Sequence, residues 1–183
     1  MNGADPHPLA DLSVLDNYAA VPFPPGYATD RRRFYSPVDN VHGVLAAVVG
    51  SAQRSLVIAM YGFDDDALAD AIAEKLNAEN VAVQLTLDSS QAGGVHERAI
   101  LARESYPASS IAIGRSELGA IMHLKQVVVD GVIVVDGSTN WSPGGEAKQD
   151  NSLLILSDPV EAAVVSARLA AIHMNIISKG LPV

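Results

Sequence analysis

The stretch KQVVVDGVIVVD, residues 125–136, constrains the fold more than any other part of the chain. Two valine-rich runs flank Asp130-Gly131, a dipeptide suited to the positive backbone angles of a tight hairpin turn. A two-residue turn there sets Val129 opposite Val132, Val127 opposite Val134, Lys125 opposite Asp136 and His123 opposite Ser138. Side chains alternate along a strand, so His123, Lys125, Asp136 and Ser138 are expected on one face, with Asn140 just beyond. A nitrogen base, a fixed cation and hydrogen-bonding groups at one end of a hairpin suit an anionic tetrahedral group such as phosphate. The pairing depends on register, because a slip of one residue turns every side chain to the other face.

Other elements alternate around this hairpin. Apolar positions recur at helical spacing from Val41 to Ala52, and SLVIAMYGF reads as a buried strand. DDDALADAIAEKLNAEN reads as a helix whose acidic first turn suits the positive end of its dipole. VAVQLTLD is a further strand, Gly94 to Glu104 looks helical, and SSIAIG and NSLLIL are short strands. Pro159 to Ile177 closes the chain as a helix, with proline in its first turn and Gly180 beyond its end. The alternation predicts an α/β fold, an α-β-α sandwich around a mixed sheet. Residues 1–30, rich in Pro, Gly, Asp and Ala, are expected as an extended arm, with one domain over residues 31–183.

Composition narrows the function classes. A chain of 183 residues that is 49% hydrophobic buries a real core in one domain. Its start lacks a signal-peptide layout and no continuous apolar run reaches membrane length, so a cytoplasmic protein without stable membrane association is the expectation. The chain has no cysteine, which excludes disulfides and thiolate metal sites. A formal net charge of −9 argues against a general electrostatic grip on nucleic acid or anionic lipid, so an anionic substrate must be held locally.

His123 and Lys125, then Asp130, then Gly137, Ser138 and Asn140 match every fixed position of the HxKx4Dx6GSxN signature, and the chain resembles the phospholipase D superfamily. The likeness extends from Phe34 to near Leu169. It includes a helix leading to a strand that ends in a Tyr-x-Phe-like element, and the QDNSLLIL strand after the signature. The resemblance implies a phosphodiesterase that needs no metal or cofactor. His123 would form a covalent phosphohistidine, while a second histidine protonates the leaving oxygen and then activates water. Lys125 and Asn140 would hold the non-bridging oxygens, and Ser138 would bond near the phosphate or set the turn. Asp130 and Gly137 would support the motif. Small family members carry glutamate where this chain has Asp150, before Asn151; Asp150 would orient a catalytic histidine with one methylene less reach. A chain with one signature resembles members that build one shared site in a two-fold homodimer.

Single-signature size suggests a nuclease acting on DNA or RNA. A phospholipid or small-nucleotide diester is the alternative substrate, and a non-catalytic dimer that binds nucleic acid or protein is the alternative class. Arg31 and Arg33 are candidates to rim the site, though a solvated turn explains them more simply. Trp141 offers either a stacking surface or a wall of the site. His42, His96 and His173 read as polar helix-face or loop residues, since no metal-ligand spacing joins them, and Asp64 to Asp66 as helix capping, so no metal is expected.

Overall fold

The computed structural model describes residues 6–78, 80–91, 107 and 110–179. Among these, seven strands form one mixed sheet: β1 (Arg31–Ser36), β2 (Ser55–Met60), β3 (Ala82–Asp88), β4 (Ile111–Gly114), β5 (Lys125–Val129), β6 (Ile133–Gly137) and β7 (Asn151–Ser157). Their spatial order is β1-β7-β6-β5-β2-β3-β4. β3 runs parallel to both β2 and β4, and the other neighbours are antiparallel. Helices α1 (Val41–Gly50) and α2 (Asp66–Asn77) cover one face, α4 (Pro159–Ser178) covers the other, and the short α3 (Pro143–Ala147) precedes β7. The expected α-β-α sandwich is the observed one. The predicted helix from Gly94 to Glu104 lies outside the described residues.

The valine runs feed both layers. Val127, Val129, Ile133 and Val135 pack toward α1 and α2, while Val128 and Val134 pack toward α4. Two covered faces explain why these strands are apolar at every residue instead of every second one. In α4, Ala162, Val165, Leu169, Ile172 and Ile176 recur at helical spacing and are buried against the sheet. The helix is long and apolar enough to cross a membrane by composition, with a mean hydropathy of 1.4. Its inward stripe is nonetheless satisfied by the sheet.

Residues 6–30 are less detached than an extended arm. Leu12–Tyr18 form a 3-10 helix capped by Asp11, and Leu9, Leu12 and Leu15 join the core on the α1 side. Arg32 is buried against this segment, bonded to Asp16 and to the Ala28 carbonyl. The Pro and Gly content accounts for the irregular backbone, while the leucines dock it onto the core.

The hairpin register differs from expectation by one residue. Asp130 and Gly131 do take positive φ, 55° and 67°, and the Val132 amide donates to the Val129 carbonyl, as a two-residue turn requires. Val132 then adds one residue to the second strand, so Val129 pairs with Ile133, Val128 with Val134 and Val127 with Val135. The Val132 carbonyl accepts from Asp158, which holds the extra residue in place. Asp136 therefore turns to the face opposite Lys125 and accepts from Gln126 at 3.2 Å.

Asp130 anchors this turn to the rest of the sheet. Its carboxylate accepts from the backbone amides of Gln53 (3.0 Å), Arg54 (2.7 Å) and Ser55 (2.8 Å), and His7 Nε2 lies 3.2 Å away. Burial pushes the carboxyl up, but the amides of Ser55, Arg54 and Gln53 outweigh it and hold its pKa below the ordinary value. A lowered carboxyl pKa stabilises the fold above the unfolded value and is lost as pH falls through the folded one. Asp130→Asn keeps a residue that tolerates positive φ and removes the charge, so it should cost about 2 kcal/mol in urea unfolding at pH 7. The difference should persist at pH 5 and narrow only below pH 3.8.

Candidate active site

One end of the sheet gathers the signature residues. β1, β2, β3 and β6 finish there, and β5 and β7 begin there. The loop after β2 is zipped to the turn after β6: the Trp141 amide donates to the Gly62 carbonyl at 2.9 Å, and the Asp64 amide to the Trp141 carbonyl at 2.6 Å. Trp141 is buried with its ring 5.7 Å from that of Phe63, so it is a wall and no stacking surface for bases. Gly137 is required by close approach, since a Cβ there would collide with the Ser152 carbonyl. Gly62 is close but less severely so, because its Cβ would lie 3.0 Å from Asn140 Cγ, a side-chain contact that must give slightly.

His123 and Lys125 form the chemical centre. Lys125 Nζ lies 3.1 Å from His123 Nε2 and 3.0 Å from the His123 carbonyl. An ammonium only donates, so Nε2 accepts, and a neutral His123 carries its proton on Nδ1. Nε2 therefore presents its lone pair. The Tyr61 ring completes the cluster, with its centroid 4.5 Å from the His123 ring and 4.9 Å from Lys125 Nζ. Lys125 is 5% exposed, and among the described residues none of its hydrogen-bond partners is a carboxylate. Burial alone draws its pKa below that of an ordinary lysine.

The remaining signature residues divide. Asn140 is held against Gly62, and its Oδ1 is buried without a hydrogen-bond partner. Ser138 Oγ donates to Asn151 Oδ1 at 2.9 Å and accepts from the Ser152 amide at 3.1 Å, contacts that set the turn. Asp150 is exposed and lines, with Ser138, Tyr35 and Asn151, a cleft of about 390 Å³. Among the described residues no hydrogen bond joins Asp150 to His123. Arg31 pairs with Asp30 at 2.9 Å at the end of β1 remote from Ser36, and Arg33 lies in mid-strand opposite Leu154. Neither is brought to His123.

Three features escaped the sequence reading. Asp88, fully buried, accepts from the Met122 amide at 2.6 Å and so fixes the backbone beside His123. His123 also borders a cavity of about 380 Å³ lined by Ile121, Met122, Leu124, Arg168 and Ile172. On the other side of Asn140, His42 Nδ1 stands 2.7 Å from Glu146 Oε2 and 3.0 Å from Asp65 Oδ2. Asp65 is also the expected cap, since its Oδ1 accepts from the Leu68 amide. Burial pushes the Glu146 carboxyl up to about 7, against the pull of His42 and reinforced by the neighbouring Asp65 charge. Sequence spacing gave no signal, because these partners lie far apart along the chain.

A cation with this environment makes a direct prediction. By NMR of labelled lysine, Lys125 should titrate below the ordinary value of 10.5, and inorganic phosphate should raise its pKa again. A titration at or above 10.5 without anion would contradict the buried geometry.

Residues 45–172 match the family model described as "Cardiolipin synthase, PLD-like domain". Among similar proteins, the mitochondrial cardiolipin hydrolase of Chlamydomonas reinhardtii is 29% identical over 111 residues, covering 61% of this chain and 48% of that protein. The Xenopus laevis mitochondrial cardiolipin hydrolase is 27% identical over 122 residues, covering 67% and 56%. The chain thus spans about half the length of these relatives. Its fold is similar to that of Nuc from Salmonella typhimurium, a phospholipase D family member, with TM-score 0.67 and 22% identity over 80% of this chain and 94% of that one. NucT from Helicobacter pylori gives TM-score 0.69 and 23% identity over 78% and 94%. The match over most of the chain, joined to a signature whose histidine and lysine meet at the sheet end, places this protein in the phospholipase D-like family.

Proposed function

We propose that the protein hydrolyses phosphodiesters through His123, at a site shared by two copies of the chain and without metal in the reaction. The observation that carries this reading is Lys125, a buried cation whose partners are a histidine ring nitrogen, a carbonyl and an aromatic face. A phosphate oxygen supplies the anion that this environment lacks among the described residues. When it arrives, Lys125 turns its proton toward the non-bridging oxygen and releases the Nε2 lone pair. Nε2 attacks phosphorus, the P–N bond forms, and the P–O bond to the leaving group breaks. The leaving oxygen takes a proton from a second imidazole. That imidazole then accepts a proton from water as the water oxygen attacks phosphorus and the P–N bond breaks.

The identity of the second imidazole supports the shared site. His7 lies by Asp130, His42 is bonded to Glu146, and His173 is buried with its Nδ1 on Thr86. Among the described residues none of these faces His123, so His123 of a second copy is the natural partner. His96 lies outside the described residues and enters the test as the competing donor. Two copies of Lys125 would also concentrate positive potential in a chain of formal charge −9.

Nucleic acid is the substrate we favour, from the single signature in this chain. A lipid diester is the second reading. It is favoured by two relatives that are cardiolipin hydrolases and by the apolar wall of Ile121, Met122, Leu124 and Ile172 beside His123.

The deciding experiment offers single- and double-stranded DNA, RNA, cardiolipin vesicles and a bis-aryl phosphodiester to the protein in EDTA. Cleavage should persist in EDTA, fall at least about a thousandfold in His123→Ala and survive in His96→Ala. Activity abolished by EDTA or unaffected by His123→Ala would overturn the mechanism, and the preferred substrate decides between polymer and lipid. A second expectation concerns Gly62. Gly62→Ala should press on Asn140 and lower kcat by about tenfold, with little change in melting temperature.

A further inference from the structure

We propose that His42, Asp65 and Glu146 form a binding site for a divalent cation of the zinc class, separate from the reacting phosphate. The three residues come from the first turn of α1, the cap of α2 and the short α3. One ligand atom from each lies within 4.8 Å of the others, with His42 Nδ1 facing both carboxylates. An imidazole and two carboxylates at a partly open position are a donor set suited to zinc and its neighbours. Ligand atoms around a tetrahedral zinc stand about 3.3 Å apart, so the spacings of 2.7 and 3.0 Å would open by about 0.3 to 0.6 Å while the widest separation, within 4.8 Å, closes.

A second observation points to a ligand. The Glu146 side chain is 2% exposed, and its Oε1 is buried without a hydrogen-bond partner, although Oε2 is already on His42. Asp65 spends Oδ1 on the α2 cap, which fixes the carboxylate and leaves Oδ2 directed at the cluster. Two carboxylates against one imidazole leave a negative excess in a largely buried place, a costly arrangement unless a cation or a proton fills it. A proton shared by the carboxylates is the competing occupant. His42, 43% exposed, leaves a path for a cation and for water as a further ligand.

The location gives the cation a role. Glu146 follows Gly145, whose added Cβ would meet the Asn140 carbonyl at 2.5 Å, and Asp65 follows the Gly62–Asp64 loop that is zipped to Trp141. A cation held here would brace both sides of the turn that presents Asn140. It would take no part in phosphoryl transfer itself, so EDTA should slow cleavage at most by loosening this turn and should not abolish it, which keeps the zinc site and the metal-free mechanism separately testable.

The test is calorimetric titration of chelator-stripped protein with zinc chloride, alongside thermal melts. Wild type should bind one zinc per chain and melt higher when loaded. His42→Ala, a change at a half-exposed position, and Glu146→Gln should each weaken binding at least tenfold, while His123→Ala should not. Absence of binding in wild type, or binding unchanged in both His42→Ala and Glu146→Gln, would overturn the site and leave the shared proton as its occupant.

Discussion

The buried ammonium of Lys125 is the constraint around which the rest of the site is arranged. In the core of an ordinary domain such a group would be paired with a carboxylate, because an uncompensated buried charge is expensive. Here it is held by the ring and carbonyl of His123 and by the face of Tyr61. Those contacts tolerate the cation without neutralising it, and they orient the histidine at the same time. Desolvation of Lys125 and presentation of His123 Nε2 are one arrangement seen from two sides.

Holding that arrangement requires the backbone around it to be nearly immobile. Asp130 ties the far end of the hairpin to the entry of β2, while the Gly62–Trp141 contacts tie the near end to the exit of the same strand. Asp88 fixes the segment just before His123 from a third direction. The small or acidic signature residues are therefore mostly structural: Gly137 admits the neighbouring strand, Ser138 closes the turn, and Asp130 receives amides. Among the described residues, the side chains of His123 and Lys125 hydrogen-bond only within their own pair, and Asn140 keeps an oxygen without a hydrogen-bond partner.

The signature was legible in the sequence because each member answers a local demand at a fixed distance along one hairpin. The α-β-α sandwich around a mixed sheet followed from the alternation of elements, while the strand order and the two-faced packing of the valine runs came only with the structure. The register was not legible, because the extra residue Val132 is held by Asp158, a partner twenty-six positions further on. For the same reason Asp136 is on the wrong face to meet Lys125. Long-range contacts also explain the other omissions: Asp88 reaches Met122 and Glu146 reaches His42 across separate elements, and no local spacing marks either pair. Arg31 and Arg33, for which a solvated surface is the simpler reading than a rim of the site, lie in the half of an edge strand remote from Ser36.

The central claim is that His123 Nε2 bonds to phosphorus. Acid-sparing rapid quench during turnover of a phosphodiester, followed by peptide mass spectrometry, tests it most directly. The account predicts a phosphoryl adduct on the peptide containing His123, formed during turnover and discharged as substrate is exhausted. Turnover with no adduct at any time point, or an adduct on another histidine, would contradict it.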